Sequence, residues 1–220
     1  MPAFPFAVTV FDLDGTLADT APDIAAGINR MLADFGRAPL AEAEIRPLIG
    51  DGARNLLRRV MEATGGSTEK LLDEAHPRYL DHYAAHVCDG TLPFPGVEAA
   101  MDGLAALGAR LAVCTNKSER MTRLLLDALG WTERFSAICC GDMFPRFKPD
   151  PDSLLEAVRR AGGGRAVLVG DSFVDAGTAR AAQLPFVAVS FGFRDRPLEA
   201  LGADAVIDHY DQLIPALGAL

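Results

Sequence analysis

Four short stretches of this chain carry side chains suited to one small, highly charged group. They are Asp12-Leu13-Asp14-Gly15-Thr16, Thr115-Asn116-Lys117, Lys148-Pro149 and Gly170-Asp171-Ser172-Phe173-Val174-Asp175. Asp12 and Asp14 are two apart where an apolar run ends, so both side chains can lean to one side. Asp171 and Asp175 are four apart where a helix is expected to begin, so both can face one point. Carboxylates gathered without cations repel one another. A hard divalent cation with oxygen ligands removes that repulsion, and Mg²⁺ fits best when phosphate oxygens join its shell. Lys148 adds a fixed positive charge, and Thr115 a hydroxyl with backbone N–H groups nearby. Such a set suits a group with several negative oxygens, namely phosphoryl. A single Asp at a strand end more often caps a helix or turn. The ordered combination of all four stretches is much harder to reach by chance.

Each stretch lies at or just beyond a short apolar run rich in β-branched residues. Residues 6–11, 110–115, 137–140 and 166–169 are the first four such runs, and 186–190 and 205–207 follow. Helical spacing fills 97–107, 118–129, 153–161 and 173–182. Strands alternating with helices predict an α/β fold with a parallel sheet covered on both faces. In such sheets ligands bind beyond the carboxyl ends of the strands, where the charged residues stand. From about 19 to 89 the pattern changes to helices alone, over 23–35, 53–63 and 70–87. Pro39, Pro47 and Gly65-Gly66 punctuate this block, and 90–96 reads as a returning linker. The expected division is a core of 1–17 and 93–220 and an inserted helical unit of 18–92.

The chain has 220 residues, half of them hydrophobic, and a formal charge of −9. That composition supports a sizeable core and argues against a nucleic-acid polymer or a basic membrane patch as partner. Met1-Pro2-Ala3-Phe4-Pro5-Phe6 lacks the basic and long apolar regions of a signal peptide. No apolar run reaches membrane-spanning length. Cys88, Cys114, Cys139 and Cys140 form no C-x-x-C pair and read as free thiols of a reducing cytoplasm.

These motifs, their order and the helical insertion resemble the haloacid dehalogenase-like hydrolases, in their phosphoglycolate phosphatase-type branch. The resemblance spans essentially the full chain. It implies a Rossmann-like core with a mobile helical cap, acting on a small phosphorylated metabolite, most specifically 2-phosphoglycolate. It implies that Asp12 is the nucleophile and forms an aspartyl-phosphate, and that Asp14 is the general acid and base. Thr115, Asn116 and Lys148 would bind the phosphoryl group. Mg²⁺ would be held by Asp12, Asp171 and the main-chain carbonyl of Asp14, with Asp175 as a ligand or just behind one. Gly50, Asp51, Gly52 and Arg54 resemble the substrate-facing loop, with Arg54 expected to meet a substrate carboxylate.

Other readings stay open. Broad activity on sugar phosphates or nucleotides fits the same motifs, as does a phosphomutase. Metal-free dehalogenation is disfavoured by Asp14 and Asp171. A Schiff-base mechanism would need a cap lysine, and Lys70 stands in a solvated helix pattern. A phospho-accepting receiver would lack Asp14 and the insertion. His82 and His86, four apart, could bind metal, but no further ligand is evident and neither clusters with the motifs; His76 and His209 also stand apart. The chain departs from the family at Val174, where Asn is frequent, at Gln183-Leu184-Pro185, and at Phe191-Gly192-Phe193.

Overall fold

A computed structural model describes residues 4–193 and 196–220; Met1 to Ala3 of the N-terminal stretch lie outside them. Six strands form one parallel sheet: β1 (Val8–Phe11), β4 (Arg110–Thr115), β5 (Ala137–Cys140), β6 (Ala166–Gly170), β7 (Phe186–Val189) and β8 (Ala205–Ile207). Their order is β5-β4-β1-β6-β7-β8. The chain fills one side of β1 and then crosses to the other, so the carboxyl end of β1 sits where the winding reverses. Alternation splits the strands between two cores. Val8, Val10, Ala112, Cys114 and Leu168 face one side, and Phe11, Val113, Val167 and Val169 the other.

Helices cover both faces. On one side lie α7 (Asp152–Arg160) and α8 (Phe173–Ala182), burying Leu154, Ala157, Ala176 and Ala179. On the other lie α5 (Val97–Ala106), α6 (Glu119–Ala128) and α9 (Leu213–Ala219). Their Val97, Met101, Leu104, Met121, Leu125, Leu213 and Leu217 are buried there. Helix α9 carries no strong start signal and was not expected from sequence.

Between β1 and α5 the main helices are α1 (Ala21–Asp34), α3 (Ala53–Ala63) and α4 (Glu69–Ala84), with the short α2 (Glu42–Ile45) after α1. In α3, Leu56, Leu57, Val60 and Met61 are buried at helical spacing. Helix α4 starts at Thr68, whose side chain accepts from the Leu71 N–H, and continues through Pro77. The two crossings into this insertion carry an element too short for sequence periodicity to reveal. Ala18–Asp19 (β2) pairs antiparallel with Leu92–Pro93 (β3). Buried Asp23 fastens the return crossing, accepting from the Gly90 N–H at 2.8 Å and the Thr91 N–H at 2.7 Å.

Candidate active site

The loop after β1 is a tight knot. The Leu13 carbonyl accepts from the N–H groups of Thr16, Leu17 and Ala18, and Gly15 takes a positive φ of 84°. This reversal leaves Asp12 at the sheet end and projects Asp14 toward β4. Loop geometry is equally tight around Asp171. A Cβ on Gly15 would stand 2.5 Å from Asp171 Oδ2, and one on Gly192 would collide with the Asp171 side chain. Asp171 accepts from Thr16 Oγ1 at 3.0 Å and from the Phe193 N–H at 2.6 Å.

Asp12, Asp171 and Asp175 are all buried, and one ligand oxygen from each lies within 4.8 Å of the others. Lys148 is the ammonium among them. Its Nζ donates to Asp175 Oδ1 at 2.6 Å and to the Cys114 carbonyl at 2.9 Å. It also forms an ion pair with Asp12 Oδ1 at 2.9 Å. Three carboxylates face a single ammonium, and the cluster is net negative in a buried place. Burial pushes the Asp12 carboxyl from 3.8 up to about 6, against the pull of Lys148, with Asp175 adding to the rise. Burial, then Asp175 and Asp12, push Asp171 well above the carboxylate range. A hard cation fits this donor set: all ligands are oxygens, and the surplus charge is negative.

Asp175 has both oxygens engaged. Oδ2 accepts from the Ser172 N–H and hydroxyl at the start of α8, a capping box, while Oδ1 holds Lys148. The Asn116 side chain is engaged away from the cleft floor. Its side chain accepts from the Lys148 N–H at 2.8 Å and donates to the Lys148 carbonyl at 3.2 Å and the Gly50 carbonyl at 3.0 Å. The Asn116 side-chain amide thus positions Lys148, and its backbone N–H is the group left to meet a phosphate. Thr115, also buried, ends β4 with its hydroxyl accepting from the Lys117 N–H at 3.2 Å.

Asp14 stands outside the three-carboxylate cluster. Its Oδ1 accepts from Thr20 Oγ1 at 2.8 Å, and Lys117 Nζ donates to Oδ1 and Oδ2 at 2.8 and 2.9 Å. Lys117 closes one of the four strand-end stretches, but the sequence assigned it no role of its own. A cleft separates these strand ends from the insertion. Asp12, Asp14, Thr115 and Lys117 line one wall, and Ile24, Ile49, Leu56, Tyr79, Leu80 and Tyr83 another. Gly50 and Gly52 reach the cleft as expected, by backbone. The charged members of that loop do not. Arg54 donates to Glu69 and Asp73 at 2.8 and 2.7 Å on the exposed surface, and Asp51 pairs with Arg59. Arg54, in the first turn of α3, is drawn to carboxylates of α4, and Asp51, just before α3, to an arginine further along α3.

Parallel strands with carboxylates and a buried lysine at their carboxyl ends fit an α/β protein that handles phosphoryl groups. Residues 9–189 match the family model of the haloacid dehalogenase-like hydrolases, and the chain belongs to that family. It is 40% identical over 219 residues to a phosphoglycolate phosphatase of Agrobacterium fabrum, covering 98% of this chain and 93% of that protein. Identity to a phosphoglycolate phosphatase of Caulobacter vibrioides is 42% over 207 residues, with 93% and 87% coverage. A crystal structure of a predicted phosphoglycolate phosphatase from Haemophilus somnus superposes with a TM-score of 0.90 at 27% identity, covering 96% of this chain and 97% of that one. The chain therefore falls in the phosphoglycolate phosphatase-type branch, among phosphoric monoester hydrolases.

Proposed function

We propose that this chain is a Mg²⁺-dependent phosphatase that hydrolyses 2-phosphoglycolate to glycolate and phosphate through an aspartyl-phosphate on Asp12. The observation that carries the reading is the buried Asp12 carboxylate at the end of β1, 2.9 Å from the Lys148 ammonium and gathered with two further carboxylates. A carboxylate so placed is available to attack phosphorus. Asp12 displaces the ester oxygen, which takes a proton from Asp14. Asp14 then removes a proton from the water that attacks the aspartyl-phosphate, releasing phosphate and restoring Asp12. Thr20 and Lys117 orient Asp14 for both steps. Lys148, fixed by Asp175 and by the Asn116 amide, meets the negative charge of the phosphoryl oxygens, helped by Thr115. Asp12 and Asp171, with the Asp14 carbonyl, are the groups to hold Mg²⁺, and Asp175, engaged by Lys148 and Ser172, stands as a further ligand or just behind them. When bound, Mg²⁺ offsets the negative charge of the carboxylates and of the phosphoryl group.

Residues 18–92 act in this reading as a cap on the 1–17 and 93–220 core. The cleft between them supports it, as does the β2–β3 crossing that gives the cap a narrow hinge. Closure excludes water from the phosphoryl step. The wall carries the apolar side chains of Ile24, Ile49, Leu56 and Leu80, which suits a short substrate with few groups to hydrate. Among the described residues no helix is long and apolar enough to cross a membrane. Four free cysteines support a cytoplasmic place, with burial raising Cys114 and Cys140 to about 11 and Cys139 to about 12.

The test is phosphate release from 2-phosphoglycolate, sugar phosphates and nucleotides, with and without Mg²⁺, using Asp12→Asn as the blank. A clear preference for 2-phosphoglycolate that vanishes without Mg²⁺ is expected. A flat profile across esters removes the substrate assignment and leaves the phosphatase.

A further inference from the structure

Lys117 is the basic side chain that lines the cleft among the described residues. Lys148 belongs to the phosphoryl end of the site, bonded to Asp175 and the Cys114 carbonyl and paired with Asp12. Arg54 is turned to the surface by Glu69 and Asp73. The Lys117 side chain is only 6% exposed, and its Nζ stands 4.7 Å from the centroid of the Tyr83 ring. An ammonium carries three N–H bonds. Asp14 engages it through both of its oxygens, leaving one N–H for a further acceptor. Tyr83 walls the cation in, and its hydroxyl has no hydrogen-bond partner among the described residues. Around it the wall carries the apolar side chains of Ile24, Ile49, Leu56, Leu80 and Met121, with the Tyr79 ring among them.

We propose that Lys117 is the specificity-determining residue, binding the carboxylate of a small phosphorylated acid next to Asp14. The inference rests on the reading of this site as a 2-phosphoglycolate phosphatase and says which side chain reads the acid. In 2-phosphoglycolate one methylene separates the carboxylate from the ester oxygen. The group that hands a proton to that oxygen therefore stands close to the substrate carboxylate as well. Lys117 is the cation bonded to that group. A shared ammonium between Asp14 and the substrate carboxylate also removes the repulsion the two anions would otherwise feel. Charge-assisted hydrogen bonds are strong in such a water-poor place. A neutral substituent gains nothing from the ammonium, which is the basis of discrimination.

The test compares 2-phosphoglycolate with ethyl phosphate, in which a methyl replaces the carboxylate. Lys117→Met is expected to lower kcat on both esters, because Asp14 loses its partner. KM should rise about thirtyfold for 2-phosphoglycolate and less than about twofold for ethyl phosphate, the loss of one bond to a charged group. Lys117→Arg should recover part of the difference. Binding is read independently of turnover in the Asp12→Asn background. There 2-phosphoglycolate should raise the melting temperature, and Lys117→Met should remove that rise. Should Lys117→Met melt below the assay temperature, the same split is read on Lys117→Gln. Equal KM changes on the two esters overturn the assignment, as does a carboxylate preference that survives in Lys117→Met. A wild-type enzyme that hydrolyses both esters equally overturns the substrate reading and the assignment together.

Discussion

At the strand ends the charged side chains turn inward; in the loop before α3 they turn outward. Asp12, Lys148, Asp171 and Asp175 come from three separate strand ends and meet in one buried cluster. Asp51 and Arg54 come from one loop and the first turn of one helix, and they pair with Arg59, Glu69 and Asp73 within the insertion. The difference lies in what each region can offer a charge. A parallel sheet brings its carboxyl ends to one line, and the tight Gly15 and Gly192 backbone leaves Asp171 no other place. A solvent-facing helix offers an arginine partners of opposite sign at low cost, with no reason to enter an apolar cleft. The floor thus supplies charge, and the insertion supplies backbone, apolar wall and shape.

The strongest challenge to this contrast is Asp12→Asn. Turnover should fall at least about a thousandfold, the scale of losing an enzyme's nucleophile, while the circular dichroism spectrum is retained. Substantial residual phosphatase activity would remove Asp12 from the mechanism. Lys148→Met should lose both activity and stability. It leaves Asp12 and Asp175 buried without their cation, at a cost of about 3–5 kcal/mol in a urea titration. A stability change below about 1 kcal/mol would show that the cluster is far more hydrated than its burial implies.

The third prediction concerns pH and metal. Between 3.8 and about 6 the native Asp12 holds its proton when the unfolded chain has lost it. Without metal, its contribution to stability is therefore present at low pH and declines as pH rises through that window. Asp171, pushed upward by burial, acts in the same direction. Mg²⁺ should reverse the trend, stabilising by about 2.7 kcal/mol at a hundred times its Kd, and more effectively above pH 6 than below. Melting curves of wild type and Asp12→Asn, with Mg²⁺ and with a chelator, isolate the effect. An identical pH dependence of the two proteins would contradict it.

The smallest effect belongs to the outward-facing arginine. Arg54→Ala should change KM for 2-phosphoglycolate by less than about twofold, because exposed pairs contribute about 0–1 kcal/mol and none of Arg54 lines the cleft. A tenfold rise would return Arg54 to the substrate and weaken the case for Lys117.

Much of this was legible along the chain. Helix α8 spans the residues its spacing predicts, and the six sheet strands fall within the apolar runs, apart from a residue added to β6. Helix α1 begins at Ala21, two residues before the apolar pattern suggests, because Pro22 suits a first helical turn. The β2–β3 pair was hidden because two residues have no periodicity.

Sequence alone determined the alternation of strands and helices, the insertion after the first strand and the identity of the strand-end charges. Those depend on local hydrophobic period and on residue type, which a linear string carries. Only the tertiary structure decided which charges share a site. It paired Asn116 with Lys148, gave Asp175 to Lys148 and Ser172, turned Arg54 away and set Lys117 on Asp14. Those outcomes depend on which partners the fold brings within reach: 103 positions separate Lys117 from Asp14, and no local pattern in the string links them.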